Sequence, residues 1–262
     1  MKIFLTSIII TLFFLADIFS QNSSPNYSSI NKDYFINYFK DAGKIITSPT
    51  RFNTKNWLTA TAVVGTTSFL FTQDITVHDF FQKHKTYDLN NVTKYALQPW
   101  GNIYSISTIG LFYLQGTFFK NDKSKETSLL GLEAILLSSG IAQIPKITLR
   151  RYRPYQLDPA DSWRWFGKFN NNSFYSGHTT ASFALATIMA YEYSDHKWVP
   201  VVAYSIATLT GLSRIYDNKH WSSDVFLGAT MGILIGKFIY KTHHKVIISP
   251  VGRSGLGLHY NF

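Results

Sequence analysis

Six apolar stretches, each of helical rather than strand length and each closed by polar residues, limit what this chain can fold into. They run from Trp57 to Thr72, Ile103 to Phe119, Thr127 to Pro145, Thr179 to Ser194, Trp198 to Ser213 and Val225 to Tyr240. Segments of this kind bury their apolar faces on one another, so the expectation is an all-α protein with a six-helix core bundle. A further amphipathic helical piece is expected within 78–99. The tail differs. Val246 to Val251 is followed by the turn signal Gly252-Arg253-Ser254-Gly255 and by alternating Leu256, Leu258, Tyr260 and Phe262, which predicts a short C-terminal β-hairpin.

The rest of the chain divides around this core. Lys2, the apolar run from Ile3 to Leu15 and the small and polar residues up to Ser20 have the outline of a secretory signal peptide over residues 1–20. Residues 21–54 form a polar N-terminal arm, with one short helix expected around Tyr34 to Ala42. The helical domain occupies 55–242 and the tail 243–262. With 262 residues, one core is the expectation.

Cysteine is absent, which excludes disulfide scaffolds, thiolate metal sites and cysteine nucleophiles. Lys and Arg number 25 against 15 Asp and Glu, a net charge of +10, and the loss of Lys2 and Asp17 with the signal peptide leaves that balance unchanged. Such a charge attracts phosphates, nucleic acids and anionic headgroups alike. A mean hydropathy of −0.02 is low for six membrane spans, and Glu133, Gln143, Glu192 and Lys237 interrupt the helices. Integral and soluble or peripheral forms therefore both stay open.

Chemistry concentrates in three stretches. In Lys146-Ile147-Thr148-Leu149-Arg150-Arg151-Tyr152-Arg153-Pro154 a basic cluster follows the third helix, with Pro154 expected to stop it. In Ser173-Phe174-Tyr175-Ser176-Gly177-His178, Ser176 can cap the fourth helix, whose free N–H groups favour an anion, and Gly177 allows close backbone approach. In Ser213-Arg214-Ile215-Tyr216-Asp217-Asn218-Lys219-His220-Trp221-Ser222-Ser223-Asp224, a last helix starting near Asn218 puts His220 and Asp224 one turn apart. An Asp there can accept one imidazole N–H and leave the other nitrogen as a nucleophile. Taken singly, each stretch is equally a solvated basic cluster, a plain helix cap or a surface His/Asp pair.

Together and in this order they resemble the signature of the type 2 phosphatidic acid phosphatase and vanadium haloperoxidase superfamily: K-x6-R-P, P-S-G-H and S-R-x5-H-x3-D. The matching residues are Lys146, Arg153 and Pro154; Ser176, Gly177 and His178; and Ser213, Arg214, His220 and Asp224. Tyr175 stands where the family has Pro. The resemblance covers about 55–242 and implies the family's helical core. It further implies that His220, oriented by Asp224, attacks phosphorus, and that His178 protonates the leaving oxygen and later activates water. Lys146, Arg153, Ser176, Gly177 and Arg214 would hold the phosphate.

These roles suit phosphoryl transfer, in which fixed cations and oriented N–H groups meet the charge on the equatorial oxygens. The expectation is a metal-independent phosphatase of the cell envelope, of the branch acting on phosphomonoesters or pyrophosphates, with lipid-linked substrates favoured and with no metal site and no cofactor. Vanadate would bind as an inhibitor. A secreted acid phosphatase for small esters, a haloperoxidase with vanadate as cofactor, and an inactive basic lipid- or nucleic-acid-binding protein are the alternatives. Membrane contact is expected and nucleic acid is not. Trp163, Trp165, Phe166 and Phe169 beside Arg164 and Lys168 suit a cap over a lipid phosphate or a plain surface lid. The other histidines, His243 and His244 included, read as solvated or structural. A parity conflict bears on sidedness: with residue 21 outside and all six helices spanning, Lys146 would arrive in the cytoplasm. An exported, periplasmic or membrane-associated protein with its site outside the cytoplasm resolves this if the bundle is soluble or peripheral, the favoured repair, or if one weak stretch such as the Thr-rich Trp57 to Thr72 does not span.

Overall fold

The computed structural model describes residues 30–156, 164–168, 172–244, 246–251 and 255–260. The expected signal peptide, and Trp163 and Phe169 of the expected cap, lie outside the described residues. Within them the chain forms nine α-helices: α1 (Lys32–Ile46), α2 (Thr54–Lys83), α3 (Tyr87–Val92), α4 (Ile103–Phe118), α5 (Asp122–Ile141), α6 (Gln143–Leu149), α7 (Gly177–Glu192), α8 (Trp198–Tyr216) and α9 (Ser222–His243). The tail pairs strands β1 (Val246–Val251) and β2 (Gly255–Tyr260) antiparallel, Val246 opposite Tyr260 and Ile248 opposite Leu258.

Local chemistry sets most boundaries. Asn31, Asn53 and Asn121 each accept a backbone N–H from the first turn of α1, α2 and α5, satisfying donors that the helix cannot. The first expected stretch grows into the 30-residue α2 and absorbs the start of the amphipathic piece, so the segment from Tyr87 to Gly101 is a run of short helical turns. The third stretch divides after Ile141, because Pro145 has no N–H for the Ile141 carbonyl and its ring crowds that oxygen. The resulting α6 ends at Arg150, in left-handed conformation with φ 47°, ahead of the Pro154 stop expected from sequence. That conformation closes a helix by itself.

Helix α7 runs through the middle. Ile109, Phe112, Ile135, Leu185, Met189 and Val199 pack together on one side of it, and Tyr34, Leu129, Leu130, Ile188, Ile235 and Ile239 on the other. With apolar surface buried on both sides, α7 needs no polar face. Its approach to α9 depends on Gly228, Gly232 and Gly236, spaced by four along one face. A Cβ on Gly228 would lie 2.7 Å from the Ser176 carbonyl oxygen, and one on Gly236 2.9 Å from that of Ala184. The arm helix α1 is docked, with Tyr34 buried and its hydroxyl donating to the Leu129 carbonyl at 3.2 Å. Among the described residues two segments, Asp122–Gln156 and Ser222–His243, are long and apolar enough to cross a membrane, although 61% and 50% of their most apolar windows are buried inside the protein.

Candidate active site

The end of α6, the start of α7, the end of α8 and the start of α9 meet at one end of the bundle, as the up-and-down order of the helices requires. Ser176 N donates to the Asp224 carbonyl at 3.1 Å, joining the second and third sequence stretches directly. Lys146 Nζ brings in the first: it lies 3.0 Å from where a Cβ on Gly177 would stand, so the missing side chain of Gly177 is the space the ammonium uses. Ser176 caps α7 and its Oγ accepts from Thr179 N at 3.5 Å and Thr179 Oγ1 at 2.9 Å, which leaves the hydroxyl proton available to a ligand. Arg153 Nε is held by Asn172 Oδ1 at 3.0 Å, and Arg214 Nη1 by Asp217 at 3.4 Å.

The catalytic and phosphate-binding residues expected from the sequence therefore lie at this end; the charges acting on His178 are all cationic, whereas His220 has Arg153 and Arg214 on one side of the balance and Asp224 on the other. Burial, then Arg214, Lys146 and Arg153, push His178 down to about 4. Burial also pushes His220 down, to about 3, with Arg153 and Arg214 adding to the effect and Asp224 opposing it. A ring that stays neutral at neutral pH keeps a lone pair on one nitrogen. Among the described residues, His178 Nε2 has no hydrogen-bond partner. A Cβ on Gly101 would overlap the His178 ring, so that glycine, invisible as a site residue in the sequence, provides the seat for it.

The His220–Asp224 pair differs from expectation. Helix α9 starts at Ser222 instead of near Asn218, which is itself left-handed with φ 60°, so His220 precedes the helix. Its Nδ1 lies 3.6 Å from Asp224 Oδ2, close enough for an ion pair but long for a hydrogen bond. The Asp224 oxygens are engaged by other donors: Arg151 Nη1 to Oδ1 at 2.7 Å, and Ser173 Oγ and Trp221 N to Oδ2 at 2.5 and 3.0 Å. Arg151 in turn reaches Asp74 on α2 at 2.6 Å. The sequence gives a signal for Arg151 in its basic run but none for Asp74, which stands 148 and 149 positions from its partners Ser222 and Ser223 on α9 and reaches them only through the packing of α2. Trp165, expected in a cap, turns inward against Phe71, Phe174 and the Arg151 guanidinium, while Phe166 is exposed.

A second polar cluster lies at the other end of α9. His243 Nε2 is 3.0 Å from Asp41 and 3.5 Å from Glu133, and His244 Nε2 is 3.4 Å from Glu192 and 3.7 Å from Glu126. These histidines are thus structural and nearly buried, not solvated. Asp41, Glu133 and His243 bring ligand atoms within 4.8 Å of one another, a grouping that α1, α5 and α9 assemble and that no sequence spacing announces.

A helical bundle with a cluster of cations, a capped helix start and two neutral histidines at one end defines a class of protein suited to holding a phosphoryl group. Residues 128–248, a little under half of the chain, match the PAP2 superfamily. A lipid A 1-phosphatase of Porphyromonas gingivalis is 44% identical over 82 residues, 31% of this chain and 18% of the relative. A probable diacylglycerol pyrophosphate phosphatase of Schizosaccharomyces pombe is 31% identical over 138 residues, covering 44% and 50%. The chain thus spans half or less of the length of these two relatives. Among solved structures, a transmembrane PAP2-type phosphatidylglycerolphosphate phosphatase from Bacillus subtilis superposes with a TM-score of 0.53 at 19% identity, over 80% of this chain and 94% of the other. Aquifex aeolicus LpxE does so with 0.51 at 22%, over 64% and 94%. Both share the helical fold.

Proposed function

We propose that the protein is a metal-independent phosphatase acting on lipid-linked phosphomonoesters or pyrophosphates, through a phosphohistidine on His220. The observation that carries this reading is the convergence of Lys146, Arg153 and Arg214 on the half-buried His178 at the capped start of α7, with Arg153 and Arg214 also acting on the buried His220. Three fixed cations with the Ser176 hydroxyl and the Gly177 N–H meet the equatorial phosphate oxygens, so charge neutralisation needs no added ion. The anionic phosphate bound beside His178 favours its cationic form, so the ring takes up a proton with the substrate; the imidazole nitrogen of His220 turned away from Asp224 then attacks phosphorus while the ester oxygen leaves with that proton from His178. His178 then takes a proton from water, the hydroxide attacks phosphorus, and the P–N bond breaks to free phosphate and His220. Asp224 stabilises the ring while it is cationic.

Lipid substrates are favoured by the names of the relatives, which act on lipid A and diacylglycerol pyrophosphate. They are also favoured by the exposed Ile144, Ile147 and Phe166 beside the site, which suit contact with a membrane surface. We place the active site outside the cytoplasm, in keeping with the secretory outline of residues 1–20. The test is turnover by purified protein on a panel of phosphatidate, polyprenyl pyrophosphate, lipid A phosphate and p-nitrophenyl phosphate, in EDTA. Activity is expected to survive chelation and to fall with vanadate, which in five-coordinate form mimics the transition state. A strict need for added magnesium or zinc, or no turnover on any of the four, overturns the reading.

A further inference from the structure

We propose that Asp74, on α2 and outside the residues that match the family, is a positioning residue that keeps Asp224 negative toward His220 by taking a share of Arg151. This deepens the phosphohistidine reading and rests on it. The three charges form one buried line. Arg151 donates through Nη1 to Asp224 Oδ1 at 2.7 Å and through Nη2 to Asp74 Oδ2 at 2.6 Å, and the three residues are 1%, 0% and 0% exposed. The guanidinium is sealed by Phe71, Trp165 and Trp221, whose ring centres lie 4.8, 5.1 and 5.4 Å away.

Arginine cannot shed its proton. Alone with Asp224 it would form a closed neutral pair, and the carboxylate would have little charge left for an imidazole 3.6 Å away. With Asp74 added, the group carries one net negative charge. That charge becomes useful when His220 accepts the phosphoryl group and its ring turns cationic. Asp74 also fixes where Asp224 stands: Ser222 Oγ, Ser223 N and Ser223 Oγ all donate to it, at 2.6, 2.9 and 2.6 Å, and these residues form the helical turn that ends in Asp224. Ser223 Oγ also accepts from Arg151 Nη1 at 2.7 Å, so one hydroxyl ties both charges to α9.

The test separates this role from a merely structural ion pair by comparing two ligands. Inorganic phosphate needs only the cationic cradle, whereas five-coordinate vanadate also needs His220. In the full-length protein, Asp74→Asn is expected to lower kcat by about 10- to 100-fold with KM little changed, as for other partners that orient a reacting histidine. Vanadate inhibition should weaken by about tenfold or more while phosphate inhibition is unchanged. Ser223→Ala keeps all three charges and should shift vanadate in the same direction, by several-fold; if Asp74→Asn fails to fold, this variant decides. Equal weakening of phosphate and vanadate, or unchanged vanadate inhibition, overturns the proposal. Wild-type protein that turns over but forms no acid-labile phosphohistidine overturns the catalytic reading itself, and the proposal with it.

Discussion

Helix α9 has a buried histidine cluster at each end, and the two clusters behave oppositely. Before its start, His220 is driven down to about 3 by burial and then by Arg153 and Arg214, with Asp224 opposing them. In its last turn, His243 faces Asp41 and Glu133 and is driven up to about 9. The side chain is the same and both sites are desolvated, which by itself lowers a histidine. The neighbours decide the outcome: cations add to the desolvation at one end, and carboxylates overcome it at the other. One ring is thereby kept neutral at neutral pH, and the other is a cation there that neutralises buried acids.

The largest expected effects break this comparison at each end in turn. His220→Ala is expected to reduce turnover by about a thousandfold or more, with no acid-labile phosphoenzyme and an unchanged melting curve. His243→Gln should leave kcat within about twofold, because it lies at the far end, but should cost about 3–5 kcal/mol of stability by leaving buried carboxylates uncompensated. Chemical denaturation measures the second and p-nitrophenyl phosphate turnover the first. Comparable loss of activity in both variants would mean that the two ends are not functionally distinct.

The same contrast gives the two ends opposite pH dependence. His243 has a folded value above its ordinary 6.5, so its stabilisation is complete below 6.5 and is lost as pH rises through about 9. His178 and His220 have folded values below 6.5, so the unfolded chain binds more protons in acid, and their burial costs stability as pH falls below 6.5. The melting temperature is expected to decline on both sides, and in His243→Gln the alkaline decline should largely disappear. An alkaline limb unaltered in that variant would place its cause elsewhere.

Catalysis sharpens the point about His178. A general acid must hold its proton, and with a value of about 4 in the free protein the protonated fraction shrinks as pH rises. For an alkyl phosphate, kcat/KM should fall by up to tenfold per pH unit above about 4. With p-nitrophenyl phosphate, whose leaving group needs less protonation, the decline should be shallower. Parallel profiles for the two substrates would assign the proton to another group.

These contrasts also explain what could be read from the sequence. The six apolar stretches, the hairpin and the three motif stretches that meet at one end of the bundle were legible because each depends on local spacing or on a motif of adjacent residues. Asp74 and Asp41 were not, since their partners Arg151 and His243 come from other parts of the chain and only packing brings them together. The start of α9 was misjudged for a related reason: Asn218 takes a left-handed turn, and an Asn in a polar link does not show in advance whether it starts a helix or delays one. His243 and His244 read as solvated or structural from the sequence, and the choice between the two was not legible there because α1 covers that end only in the folded protein.

The smallest effect separates packing from chemistry along the one glycine face that serves both ends. Gly228 and Gly236 both sit where α9 touches the α7 backbone, and an added Cβ would meet the Ser176 carbonyl at 2.7 Å in one case and the Ala184 carbonyl at 2.9 Å in the other. Backbone cannot move aside as a flexible side chain can, so either substitution to Ala should cost about 1–3 kcal/mol by overpacking. The consequences then diverge. Displacing Ser176 moves the cap of α7 and the N–H groups that face the phosphate, and a shift of well under 1 Å there is enough to loosen an anion held by fixed donors. Displacing Ala184, two turns further along, strains the core between the two ends and leaves the cradle where it is. Gly228→Ala is therefore expected to raise KM and the inhibition constant for phosphate by several-fold, and Gly236→Ala to change neither while melting at a similarly lowered temperature. If Gly236→Ala weakens phosphate as much as Gly228→Ala does, α7 transmits strain along its whole length, and the cradle is positioned by the entire α7–α9 contact instead of by its first turn.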